Sequence, residues 1–244
     1  VVQMHPQDMA RRQLRDGDLV EVGSRRGSIV VPVASSDALG LSQAFIAMHW
    51  GPEYLGGRSA SGEPLAGVNA LTTPVHCPVS KQPELKHTAV RIAKAELPWS
   101  LVAMAWLPGD TALAVRTELR ALVEALPFVS CVPFGAAGAP AGGAQRTGVL
   151  LRAAAPTAPD EALLVRIEAL LGLAQADTLR YADARRGQRR AVRLQREGAD
   201  ALVVGVLLAG DTRAESWIRA LLQDQLPAQA FGRQLLSPQS TAPS

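Results

Sequence analysis

Three short runs in the first hundred residues carry side chains suited to holding a flat, charged ligand. Met48-His49-Trp50-Gly51 sets an imidazole and an indole at the end of an apolar run, ahead of a Gly/Pro-rich stretch from Gly51 to Gly67. An indole face stacks well on a flat heterocycle. The same Trp50 can also serve as a plain plug at the end of a β-structure. Asn69-Ala70-Leu71-Thr72-Thr73-Pro74 follows, and then Pro78-Val79-Ser80-Lys81-Gln82-Pro83-Glu84-Leu85-Lys86. An Asn amide offers donors and an acceptor to ring edges, and a Lys brings a point charge suited to phosphate. A Pro-rich surface loop accounts for the same residues without any ligand.

Other chemistry-bearing residues are less organised. The two cysteines, Cys77 and Cys131, cannot build a four-thiolate metal site or a disulfide scaffold by themselves. His5, His49, His76 and His87 lack metal-ligand spacing, so surface or packing roles are expected. Arg185, Arg186, Arg189, Arg190, Arg193 and Arg196 form a basic run. Its alternation in a hairpin reads first as a solvated face and second as a docking surface for an acidic protein. Nucleic acid comes a distant third, because no aromatics interleave with the arginines. Gly135 to Gly143 carries no phosphate-binding fingerprint and reads as a loop.

These residues need elements to position them. Asp8 to Gly17 reads as a short helix, followed by strands Asp18–Val22 and Ser28–Val33 around the basic turn Ser24-Arg25-Arg26-Gly27. Gln43–Met48 and His87–Ile92 read as further strands. Pro74, Pro78 and Pro83 exclude a regular helix between them. Short strands with such loops predict a β-barrel. After Glu96-Leu97-Pro98-Trp99 the texture changes. Strands are expected at Leu101–Leu107, Phe128–Phe134, Gly148–Ala153 and Thr178–Tyr181. Helices are expected at Thr111–Leu126, with Leu113, Val115, Leu119, Leu122 and Val123 inward, and at Pro159–Leu173. That β-α-β-β-α-β order predicts a ferredoxin-like α+β unit. An Arg-rich hairpin (Arg189–Leu194 and Ala201–Leu208) and a third helix, Thr212–Leu226 capped by Asp211, complete it. The expected division is 1–97, 98–236 and a linker-like tail, 237–244.

Composition sets bounds on function. The chain has 244 residues, 48% hydrophobic and only 4% aromatic, which gives a folded core built on Ala, Leu and Val. No run approaches the roughly 20 apolar residues of a membrane span. A net charge of +3 does not by itself point to nucleic acid. The start at Val1 and the Ser/Pro-rich end read as cuts from a longer chain.

Taken together and in order, the runs carry a resemblance. The opening His5-Pro6-Gln7-Asp8 with Leu14-Arg15-Asp16-Gly17-Asp18-Leu19-Val20-Glu21-Val22, then Asn69 to Thr72, Ser80 to Lys86 and Ala89-Val90-Arg91-Ile92, resemble the C-terminal domain of the molybdopterin oxidoreductases, the dimethyl-sulfoxide-reductase superfamily. The resemblance implies a double-psi β-barrel over molybdenum bis(molybdopterin guanine dinucleotide). It implies cofactor contacts at Trp50, Asn69 and Lys86, with Thr72, Ser80, Lys81 and Gln82 in the same loops. Cys77-Pro78 departs from the family's Asp-Pro, and Cys77 is expected to be a buried inert thiol because the metal ligand of this family lies in an earlier domain.

Within the superfamily, the chain is most similar to the bacterial assimilatory nitrate reductases. Met48-His49-Trp50-Gly51, Cys131-Val132-Pro133-Phe134-Gly135, Leu179 to Gly187 and Leu207 to Ile218 carry that likeness, and the last two stretches also resemble NAD(P)H-dependent nitrite reductases. This implies a cytoplasmic enzyme reducing nitrate, with iron–sulfur clusters held by parts of the polypeptide outside this chain. It also implies a flavin reductase, ferredoxin or flavodoxin as electron donor, and neither nucleic acid nor membrane as partner. No catalytic and no metal-binding residue is expected in this chain. Another molybdopterin enzyme such as a formate dehydrogenase, or a non-catalytic binding and docking module, stays open.

Overall fold

The computed structural model describes residues 1–48, 51, 56–59, 63–83, 87–137, 145–198 and 200–242. The chain divides into two compact units, Val1–Glu96 and Leu97–Ser244.

The first unit is built on short strands: β1 (Val2–Met4), β2 (Leu19–Gly23), β3 (Gly27–Ser35), β4 (Ala44–Ile46), β5 (Gly56–Ser59), β6 (Pro64–Ala66) and β7 (Arg91–Lys94). Their order is β4-β1-β3-β2-β7, with β5 joining β3 to β6. Alternation explains the core. Val20 and Val22 of β2 stand opposite Val31 and Ile29 of β3, and all four are buried. Burying each such side chain contributes about 1.5–3 kcal/mol. The alternate residues, Glu21 and Gly23 among them, face the other way. Among the described residues β4 and β7 do not pair with one another, so the expected barrel is an open sheet.

The first helix, α1 (Pro6–Arg11), is shorter than its sequence pattern. Arg12 caps it, and Gln13 turns to φ 54°, ending it before Gly17. His5 caps its start through Nδ1, which accepts the Gln7 N–H at 3.2 Å. Asp8 is 2% exposed and accepts the Ser42 N–H at 2.6 Å, tying α1 to the segment before β4.

The second unit is a six-stranded antiparallel sheet of described strands: β8 (Trp99–Pro108), β9 (Phe128–Ala137), β10 (Arg146–Ala155), β11 (Thr178–Asp183), β12 (Gln188–Glu197) and β13 (Asp200–Ala209). Its order is β11-β12-β13-β8-β10-β9. A ferredoxin-like unit would set β11 beside β8. Here β13 takes that place, because the β12–β13 hairpin returns into the sheet and pushes β11 to the edge. The helices are α2 (Ala112–Val123), α3 (Glu161–Leu170) and α4 (Glu215–Gln223).

Both faces of this sheet are covered, so its inner strands read as unbroken apolar runs. Leu101, Ala103 and Ala105 of β8 pack with Leu119 and Val123 of α2 and with Leu164 and Ile167 of α3. Val102 and Met104, one step out of phase, pack with Trp217, Ile218 and Leu222 of α4 and with Leu235. Leu113, expected inward, is 68% exposed. Asp211 does not cap α4, whose N-cap position is Ala214 without a side-chain bond. Leu235, just ahead of the tail, is fully buried, and the Trp217 indole donates to the Gln239 carbonyl at 2.9 Å.

Candidate functional site

The described candidate residues sit on two turns of the first unit. The first is the tight turn Gly67–Ala70, entered through Gly67 at φ 50°. Val68, Ala70 and Leu71 are buried and anchor it, and the Leu71 N–H donates to the Val68 carbonyl at 3.0 Å. Asn69, the polar residue between anchors, is left exposed. Thr72 behaves differently. It is 9% exposed, and its hydroxyl donates back to the Asn69 carbonyl at 3.5 Å, so it braces the turn. The Thr88 hydroxyl donates to the Leu71 carbonyl at 3.3 Å and ties the turn to the chain ahead of β7.

The second is the loop His76–Pro83, closed at its base by a bridge between those residues. The Cys77 N–H donates to the Gln82 carbonyl at 2.8 Å, and the Lys81 N–H to the Cys77 carbonyl at 2.9 Å. Lys81 is held at φ 58°, in the left-handed region. Ser80, Lys81 and Gln82 are exposed on this loop. No hydrogen bond among the described residues joins it to the Gly67–Ala70 turn. Trp50 and Lys86, with His49, lie outside the described residues.

Cys77 is half-buried rather than buried. Hydrogen bonds from the Ser80 side chain, the Ser80 N–H and the Val79 N–H lower its thiol pKa. Cys131 is the buried thiol: desolvation raises it to about 11, which makes it the inert one of the pair. Among the described residues no three His, Cys, Asp or Glu side chains gather as a metal site, and no helix is long and apolar enough to cross a membrane.

The donor set fits a dinucleotide. Asn69 and Gln82 present amides, Ser80 a hydroxyl and Lys81 an ammonium, all on exposed turns whose backbones are fixed by their own hydrogen bonds. Amides suit the edges of a purine or pterin ring, and the ammonium suits phosphate.

The basic run of the second unit is a solvated face only in part: Arg185, Arg186 and Arg196 are exposed, while Arg189, Arg190 and Arg193 are held by carboxylates. Arg189 binds both carboxylate oxygens of the buried Glu168, at 2.6 and 3.0 Å, and Glu161 at 2.9 Å. Arg190 is 2% exposed, pairs with Asp211 at 3.3 Å and donates to the Leu236 carbonyl at 2.5 Å. Arg193 pairs with Asp177 at 3.2 Å. Arg185 and Arg196 are the exposed cations without a partner among the described residues. Sequence spacing could not show this, because the carboxylates come from α3, from the segment just ahead of β11 and from the turn after β13.

Residues 1–89 match the family model described as the Molydopterin dinucleotide binding domain. The first unit therefore belongs to the dinucleotide-binding domains of the molybdopterin oxidoreductases. Among curated proteins the chain is similar to a nitrate reductase of Klebsiella oxytoca, 37% identical over 93 residues, which is 38% of this chain and 10% of that protein. It is also similar to a nitrate reductase of Synechocystis sp., 44% identical over 69 residues, 28% of this chain and 8% of that protein. The matched stretch thus spans about a tenth of the length of these relatives.

Proposed function

We propose that this chain is the cofactor-capping C-terminal part of a molybdenum-dependent nitrate reductase. The observation that carries the reading is the exposed donor set Asn69, Ser80, Lys81 and Gln82 on two fixed turns of a domain matched to dinucleotide binding. Its likeness to two nitrate reductases favours nitrate as the substrate. Asn69 and Gln82 would offer amides to ring edges, and Lys81 would offer its charge to phosphate. Ser80 adds a hydroxyl, and Thr72 holds the Asn69 turn in shape. Trp50 and Lys86 complete the set, Trp50 by stacking and Lys86 by charge. When bound, molybdenum bis(molybdopterin guanine dinucleotide) supplies the redox chemistry that takes an oxygen atom from nitrate and leaves nitrite. The work of this chain is to bind and orient. In this reading the iron–sulfur clusters lie in other parts of the polypeptide. The electrons come from a flavin reductase, ferredoxin or flavodoxin, and the enzyme is cytoplasmic.

The test is molybdenum content. Trp50→Ala, Asn69→Ala and Lys86→Ala, each made in the full-length enzyme, are expected to lower the metal recovered per protein and nitrate reduction with it. Full molybdenum occupancy in all three variants overturns the assignment of the cofactor contacts. A fully loaded enzyme that leaves nitrate untouched overturns the choice of substrate.

A further inference from the structure

The turn Ser24-Arg25-Arg26-Gly27 has no place in the function above, yet it borders a concavity. On the outer face of the β2–β7 pair lies an open trough of about 520 Å³. Glu21 stands opposite Ala93, and Gly23 opposite Arg91, while Val20 and Val22 point into the core. The middle of the trough is therefore shallow-sided because Gly23, Ala89 and Ala93 leave it empty. Arg25 and Arg91 are both part of its lining, with the half-buried Ser24 beside them. Neither guanidinium has an ion-pair or hydrogen-bond partner among the described residues, in contrast to Arg189, Arg190 and Arg193 of the second unit. Among the described residues Glu21 is the single carboxylate in the lining, two residues from Gly23 on the side away from the turn.

We propose that the trough between the Ser24–Gly27 turn and β7 is an oxyanion site for phosphate, with Arg25 and Arg91 as its ligands. Two guanidiniums without counter-ions in one concavity repel each other, and a phosphate between them relieves that repulsion. Each guanidinium offers a planar fork of donors matched to two phosphate oxygens. Glu21 repels an anion and so limits how far along the trough the phosphate sits. Among the described residues, none of those proposed to contact the molybdopterin cofactor lines this trough. The two assignments can fail separately.

The test titrates the 15N-labelled 244-residue chain with inorganic phosphate and, in a parallel arm, with glycerol phosphate as a simple phosphomonoester. Saturable shifts at the backbone amides of Gly23 to Arg25 and Ala89 to Arg91 are expected. Tighter binding of the free ion marks inorganic phosphate as the natural occupant, and tighter binding of the ester marks a phosphorylated metabolite. Arg25→Ala/Arg91→Ala is expected to weaken binding at least tenfold. Gly23→Val, which keeps both charges and fills the trough, is expected to weaken it as much. A Cβ at Gly23 meets nothing closer than the Ser28 Cβ at 4.0 Å, so the backbone there has room for a side chain to start. Glu21→Gln is expected to tighten binding a few-fold. Absence of saturable shifts, or unchanged binding in the double variant or in Gly23→Val, overturns the proposal.

Discussion

Two basic regions of this chain look alike as sequence and differ in the fold. Arg25 and Arg91 of the first unit line a trough and meet no carboxylate partner among the described residues. Arg189, Arg190 and Arg193 of the second unit are locked to Glu168, Glu161, Asp211 and Asp177. The difference lies in what the neighbouring elements supply. In the second unit α3 lies across the sheet and sets Glu161 and Glu168 one above the other, seven residues and two helical turns apart, facing β12. In the first unit no helix crosses the β2–β7 face among the described residues. A guanidinium held on several sides is structural, whereas one held on none is available to a ligand. Density of arginine in the sequence separates the two cases poorly.

The largest effect that sharpens this contrast belongs to Glu168. Its side chain is 5% exposed and binds Arg189 through both oxygens. Glu168→Ala leaves Arg189 without its main partner, and breaking such a buried pair costs about 3–5 kcal/mol. A large fall in the melting temperature of the second unit is the expected result. A change within error would show that the pair is dispensable and would erase the contrast.

Asp211 comes next. The Arg213 side-chain hydrogen bond, with Arg190 nearby, holds its carboxyl below the usual range. Asp211→Asn removes the charge facing Arg190, whose Nε already has no hydrogen-bond partner. The expected loss is about 1–3 kcal/mol. A carboxyl lowered by folding stabilises above its unfolded value, about pH 3.9, and that stabilisation fades as pH falls through its lower folded value. The stability gap between the parent and Asp211→Asn should therefore be full near neutrality and close in strong acid. A gap that is constant with pH would assign the effect to packing alone.

Legibility in the sequence followed the range of the interactions. Alternation in Asp18–Val22 and Ser28–Val33 is a local property, and both strands are present with ends moved by one or two residues. The long apolar strands and α3 were equally readable. What failed depended on distant partners. Nothing near Thr178 announces that β12 and β13 return between β11 and β8. Nothing near Ser237 announces that Trp217 holds the tail. Cys77 and Cys131 are alike as letters, and only the surroundings make one accessible and the other inert. For the candidate site, residue type and motif single out Asn69, Ser80, Lys81 and Gln82, and the structure leaves all four exposed on turns. The inward turn of Thr72 was not legible, since it depends on the tight turn around Asn69. The Arg25–Arg91 trough joins residues 66 positions apart, which no local pattern reveals.

The smallest effect on stability is the most informative about the first unit. Arg25 and Arg91 are exposed and make no ion pair among the described residues, so folding gains nothing from their charge there. Surface substitutions away from specific contacts stay within about 0.5 kcal/mol. Arg25→Ala/Arg91→Ala should thus melt with the parent in dilute buffer. If the trough takes phosphate, the parent alone should gain stability as phosphate is added, because a ligand that binds only the folded chain shifts unfolding by mass action. Chloride at matched ionic strength should not reproduce that gain, since screening treats both proteins alike. A double variant that already melts well below the parent without phosphate would show that these arginines, like those on β12, are held by the fold. The contrast between the two regions would then collapse.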